Sequence, residues 1–113
     1  MHEMSLAEGV VQILEEYADK QGFARVKTVW LEIGRLSNVE VDSMRFCFEA
    51  VCRGTLAEGA QLEVIETPGR GYCLDCFQSV EHNARFDPCP LCSGYKVQAT
   101  EGTEMRVKEL EVE

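Results

Sequence analysis

The sequence predicts an α+β fold, two helices on a small three-stranded sheet with an inserted four-cysteine module. Three observations predict it. Apolar residues recur at helical spacing twice, at positions 4–18 and 41–51; three short stretches are rich in strand-forming residues; and two C-x-x-C pairs fall between the second and third of those stretches.

The first helix rests on Met4, Leu6, Ala7, Val10, Val11, Ile13, Leu14, Tyr17 and Ala18. Ser5 and Glu8 have capping-box spacing, although apolar residues from Met4 allow a start a residue or two earlier, and Gly22 supplies a stop after Gln21. Glu8, Glu15, Glu16 and Asp19 form an acidic outer face, read as solvated surface. The stretch from Val26 to Ile33 then predicts a buried strand, because Val29, Leu31 and Ile33 give one wholly apolar alternating set. Ser37 and Glu40 repeat the capping-box spacing ahead of a second helix through Val41, Met44, Phe46, Cys47, Phe48, Ala50 and Val51, ending near Gly54. Trp30 and the phenylalanines are read as packing residues. Cys47 and Cys52, five apart and so about 140° apart around a helix, cannot share a small ion and are read as small buried hydrophobes.

Leu62 to Ile65, with Thr67, predicts a second strand stopped by Pro68 and Gly69. Met105 to Val112 predicts a third, with a bulge or an end near Val107, where alternation slips by one position. A lone C-terminal strand needs partners and is expected to return to the first sheet. Residues 1–69 and 99–113 are therefore expected to form one discontinuous domain, with residues 70–98 inserted as a second.

Cys73-Leu74-Asp75-Cys76 and Cys89-Pro90-Leu91-Cys92 are separated by twelve residues. Each tight turn aims two thiolates at one point, and together the four sulfurs complete a tetrahedral shell that suits Zn(II). Gly71, Pro88, Pro90 and Gly94 supply the turn chemistry. A closed set of four cysteines leaves no open position, so the zinc is read as structural and not catalytic. Disulfides, a redox dithiol and an iron–sulfur cluster are the rivals. The first ten residues carry two acids and no basic cluster or long apolar run, so a reducing cytoplasm is expected, which disfavours disulfides. Positions 77–92 lack the helical periodicity that thioredoxin-like chemistry needs. His82 lies between the pairs, but four cysteines make it superfluous as a ligand.

The 113-residue chain carries 11 basic and 20 acidic side chains, a formal net charge of −9, which disfavours nucleic acid as a partner. Residues 70–98 hold three basic and three acidic side chains, so the module offers no basic face for phosphates. No apolar stretch is long enough for a membrane span. There is no phosphate-binding glycine loop, nucleophile–base pair or open metal site with a general base, and no enzymatic turnover is expected.

The remaining candidate is Met1-His2-Glu3. A free amine, the His2 backbone nitrogen and the His2 imidazole form adjacent chelate rings, with Glu3 able to offer a further donor. Nitrogen donors in a plane suit Ni(II) or Cu(II), and residue types alone do not select between them.

In combination, Met1-His2-Glu3, Val29-Trp30-Leu31-Glu32-Ile33-Gly34, Phe46-Cys47-Phe48, Val51-Cys52-Arg53-Gly54 and the two cysteine turns resemble the HypA/HybF family of hydrogenase nickel-insertion proteins, over nearly the whole chain. The resemblance implies a mixed three-stranded sheet with two helices and an inserted zinc module. It implies a labile, transported Ni(II) held by His2 with backbone nitrogens near Met1 and Glu3, and a structural Zn(II) held by Cys73, Cys76, Cys89 and Cys92. It further implies a metallochaperone for [NiFe]-hydrogenase maturation, partnered by a HypB-type GTPase and the hydrogenase large-subunit precursor, as a monomer or weak homodimer. A zinc-ribbon adaptor that binds another protein without carrying metal is the alternative of a different class.

Overall fold

The structure is a computed structural model and describes residues 2–113; Met1 lies outside the described residues. In chain order the elements are α1 (Glu3–Gln21), β1 (Val26–Gly34), α2 (Val41–Cys52), β2 (Gln61–Thr67), β3 (Arg70–Cys73), β4 (Ser79–Glu81), β5 (Val97–Glu101) and β6 (Met105–Val112). They make two three-stranded sheets, ordered β2-β1-β6 and β4-β3-β5. The chain divides into two compact units, the first comprising residues up to Leu31, Val39–Val64 and Val107–Glu113, the second Glu32–Asn38 and Ile65–Arg106.

In the first unit α1 buries Ala7, Val10, Val11 and Leu14, one stripe at helical spacing. Full burial of each larger aliphatic side chain contributes about 1.5–3 kcal/mol. Gly22 ends the helix at φ 77°, its N–H donating to the Ala18 carbonyl at 2.8 Å, a left-handed conformation that costs glycine nothing. The start differs from the capping-box expectation. Ser5 lies inside the helix, and His2 occupies the N-cap position with no side-chain cap. The Glu3 carboxylate instead accepts the backbone N–H of Glu40, which anchors the first turn upstream of Ser5.

Helix α2 packs against α1 and buries Met44, Phe48 and Cys52, spaced at i, i+4 and i+8. Its cap is Glu40, whose side chain accepts the Asp42 N–H at 3.4 Å; Ser37 belongs to the turn after β1, its N–H donating to the Gly34 carbonyl. The central strand β1 is the most buried strand of its sheet, with Val26, Thr28, Val29, Leu31 and Ile33 inaccessible. Thr28 is the polar member of that set, and its hydroxyl donates to Glu111 of β6 at 2.7 Å. Strand β6 continues to Val112, and its alternation of half-buried and exposed residues breaks at Glu109.

The phenylalanines divide. Phe48 is buried, but Phe46 sits two positions from both Met44 and Phe48, off the buried stripe of α2, and is 73% exposed. Phe77 and Phe86 are also exposed, so packing is the role of Phe48 and not of these three. Trp30 is half-buried. Cys52 fits the small-hydrophobe reading: it is buried, and burial pushes its thiol up to about 11. Cys47 is half-buried.

The second unit contains an antiparallel sheet that periodicity did not reveal, since its strands have only three to five residues. β3 pairs with β4 through Gly71↔Val80 and Tyr72↔Ser79, and with β5 through Tyr72↔Gln98 and Cys73↔Val97. Its core is small: Cys73, Val80 and Cys89 are buried, with Cys76 and Val97 packed against them. Most of that core is therefore the cysteines themselves.

Candidate metal centre

The two cysteine turns have the same backbone plan. In the first, the N–H of Cys73 donates to the Gln78 carbonyl at 2.9 Å and the N–H of Phe77 donates to the Cys73 carbonyl at 2.9 Å. In the second, Cys89 and Ser93 repeat this with Gly94 and Cys89, at 2.7 and 2.8 Å. Phe77 and Ser93, each just after the second cysteine of its pair, both adopt left-handed φ values, 59° and 64°. Strand β3 delivers Cys73 at its end, and strand β5 leaves the second turn to pair with β3, so the sheet brings the two turns face to face.

The four Sγ atoms all lie within 4.8 Å of one another. Cys73 and Cys92 are 3.6 Å apart, and Cys76 and Cys89 are 3.8 Å apart. These distances are far longer than a disulfide bond of about 2.05 Å. They match a metal tetrahedron: zinc–sulfur bonds of about 2.3 Å place neighbouring sulfurs about 3.8 Å apart. Backbone donors aim at the sulfurs, with the Leu91 N–H 3.4 Å from Cys89 Sγ. The N–H of Cys76, joined by that of Asp75 and the neighbouring thiols, brings the Cys73 thiol down to about 7 against the opposing effect of burial. Burial and the crowding of the other sulfurs push Cys76 up to about 12. One thiolate, at Cys73, thus disfavours a second beside it, and only a divalent cation that binds thiolates lets all four sulfurs be anionic together. The donor set fits zinc, which would tie the two turns together as a structural centre.

His82 is not part of this group. It is buried beside Gly71, and its Nδ1 has no hydrogen-bond partner among the described residues. Among the described residues, the four cysteines are the group of three or more His, Cys, Asp and Glu side chains placed to hold a metal.

His2 and Glu3 belong to the first unit. The His2 side chain is about half exposed, at 48%, and its Nδ1 lies 3.7 Å from Glu3 Oε2. Glu3 is buried, and the Glu40 N–H donates to its Oε2 at 3.2 Å; that hydrogen bond, ahead of the nearby His2, holds the carboxyl below its ordinary range. Met1, the third residue of the predicted terminal chelate, lies outside the described residues. Sequence reasoning missed the part played by Glu40 and its N–H. The available signal was its position just before the apolar run of α2.

A family model described as hydrogenase/urease nickel incorporation, metallochaperone, hypA, matches residues 1–112. The chain belongs to the HypA family. A HypA hydrogenase maturation factor of Azotobacter chroococcum mcd 1 is 65% identical over 113 residues, and one of Azotobacter vinelandii is 61% identical, each covering all of both chains. The solution structure of the Ni metallochaperone HypA from Helicobacter pylori matches with a TM-score of 0.71 at 28% identity, covering 99% of this chain and 97% of that one. HypA proteins incorporate nickel during hydrogenase maturation, and this chain is a maturation factor of that kind and not an enzyme. Among the described residues, no helix is long and apolar enough to cross a membrane.

Proposed function

We propose that this chain carries Ni(II) at its N-terminus and delivers it, in the cytoplasm, to the large-subunit precursor of a [NiFe]-hydrogenase, working with a HypB-type GTPase. His2 is the principal ligand, through its imidazole and backbone nitrogen, with the Met1 amine and the Glu3 backbone nitrogen completing a nitrogen-rich set. Cys73, Cys76, Cys89 and Cys92 hold a structural Zn(II) that fixes the 70–98 module, while residues 1–69 and 99–113 carry the nickel.

The observation that carries this reading is the place of His2, half exposed at the head of α1 with its Nδ1 turned toward the Glu3 carboxylate, in a chain of a nickel-incorporating family. Nδ1 is the imidazole nitrogen that closes a chelate ring with the residue's own backbone nitrogen. The head of a helix is a poor place for a cation, because the helix dipole is positive there. Glu3 offsets that charge, and the balance favours a nickel ion bound tightly enough to carry and loosely enough to give up. Few donors on a chain end also leave the ion open to displacement by an acceptor's ligands.

The test is metal analysis and nickel titration of the untagged chain beside His2→Ala, with circular dichroism to report folding. Both proteins should hold one zinc, and only His2→Ala should lose tight nickel binding. Equal nickel binding by the two, or none by either, would overturn the terminal site and bring forward a zinc-ribbon adaptor without metal transport.

A further inference from the structure

The two cysteine turns share one backbone plan but not one surface. Of the four cysteines, Cys73 and Cys89 are buried, Cys76 is half-buried and Cys92 alone is exposed. The residue whose carbonyl closes each turn is Gln78 in the first and Gly94 in the second. Gln78 carries a side chain at that position and Gly94 carries none. A Cβ on Gly94 would stand 3.3 Å from Cys92 Sγ. On that flank of the sulfur the place of a fixed methyl group is taken by the carboxylate of Asp75, a partly exposed side chain.

From this asymmetry we infer that Cys92 is an oxidation site, the sulfur at which a peroxide enters the four-cysteine centre, with Cys73 as the thiol that resolves it. The inference rests on the zinc reading given above. The Cys92 thiolate attacks one peroxide oxygen; the O–O bond breaks, Cys92 becomes a sulfenic acid, and the departing hydroxide is protonated to water. The Cys73 thiolate, 3.6 Å away, then attacks the Cys92 sulfur. The S–S bond forms as the S–OH bond breaks, and a second water leaves after protonation. Two thiolates have given two electrons to one peroxide. With both sulfurs tied in the disulfide, only Cys76 and Cys89 would remain to hold zinc, too few to retain it. A dithiol reductant returns both thiols, and added zinc restores the centre.

Gly94 provides a variant that keeps all four ligands. It does not occupy the left-handed region, so alanine adopts its backbone without strain, and the other close neighbour of the new Cβ is the carboxylate end of Asp75, a partly exposed side chain paired with the exposed Lys96 at 3.8 Å and able to shift outward with it. The experiment treats the full chain with hydrogen peroxide. Released zinc is followed with a chromogenic chelator, and the disulfides are mapped by alkylation and mass spectrometry. One zinc per chain before peroxide supports the underlying reading, whereas its absence sinks that reading while the map still reports which thiol reacts first. Zinc release should rise in step with a Cys73–Cys92 disulfide, and Gly94→Ala should release zinc at least about threefold more slowly, because access governs thiolate oxidation. A first disulfide between any other pair, or a Gly94→Ala protein that loses zinc as fast as the parent, would overturn the inference.

Discussion

The carboxylate of Glu3 accepts the backbone N–H of Glu40 at 3.2 Å, so the first turn of α1 is fastened to the residue that caps α2. The same Oε2 lies 3.7 Å from His2 Nδ1. One buried carboxylate thus faces both the residue proposed to hold nickel and the start of the neighbouring helix.

Glu3→Gln should destabilise the first unit at neutral pH and cease to matter in acid. The hydrogen bond from Glu40 holds the Glu3 carboxyl below its ordinary value of 4.5. A carboxyl whose folded pKa is depressed contributes stability that is complete above its unfolded pKa and is lost as pH falls through the folded one. The difference between parent and Glu3→Gln in urea denaturation should therefore be present at pH 7 and shrink as pH falls below about 4.5. An equal difference at both ends of that range would show that the carboxylate charge plays no part.

Leu14→Ala should cost about 2–5 kcal/mol, since its fully buried side chain fills the stripe of α1 and the loss leaves a cavity. Ile13→Ala, one position round the same helix and 40% exposed, should cost far less. Helical circular dichroism during denaturation would separate the two, and similar midpoints would refute the assignment of the buried face.

The contrast between these neighbours shows what the sequence carried. Periodicity located α1, β1, α2, β2 and β6 because each is long enough to show a face, and Gly22 marked where α1 stops. The C-x-x-C spacing located the four sulfurs because ligand geometry is local to each turn. Strands β3, β4 and β5 stayed hidden, since three to five residues flanking cysteines display no period. The helix starts at Glu3 and Val41 lie within the range the apolar pattern allowed, but the capping residues differ: Ser5 and Ser37 have the right local spacing, yet His2 and Glu40 hold the N-cap positions, and Glu3 accepts the Glu40 N–H across the two helices. Phe46 had the hydrophobicity of a core residue but fell off the Met44–Phe48–Cys52 stripe.

Gly71→Ala should weaken the metal centre without touching a ligand. A Cβ there would stand 2.4 Å from Val97 Cγ1 and 2.9 Å from the Gln98 carbonyl, so β3 and β5 would have to separate where they align the two cysteine turns. Overpacking of this kind costs roughly 1–3 kcal/mol. The expected result is faster loss of zinc to a competing chelator than from the parent, with helical circular dichroism unchanged. Retention as tight as the parent's would mean that the sheet does not set the geometry of the sulfurs.

Removal of the proposed zinc should melt the second sheet and leave the helices. The buried apolar side chains of that cluster are Val80 and the cysteines, with Val97 half-buried, too few to offset the entropy of ordering the strands. A zinc ion bound by four thiolates supplies about 10–16 kcal/mol in small metal-held domains, which is far more than such a cluster can contribute. The first unit has its own core in Ala7, Val10, Val11, Leu14, Val29 and Leu31, none of which depends on the metal. Chelation under a thiol reductant, followed by hydrogen exchange, should therefore strip protection from amides across β3, β4 and β5 and spare those of α1 and α2. If the β3 amides stay protected after the zinc has gone, the hydrogen bonds between Arg70–Cys73 and its neighbours hold the module unaided, and the four cysteines serve some purpose other than its structure.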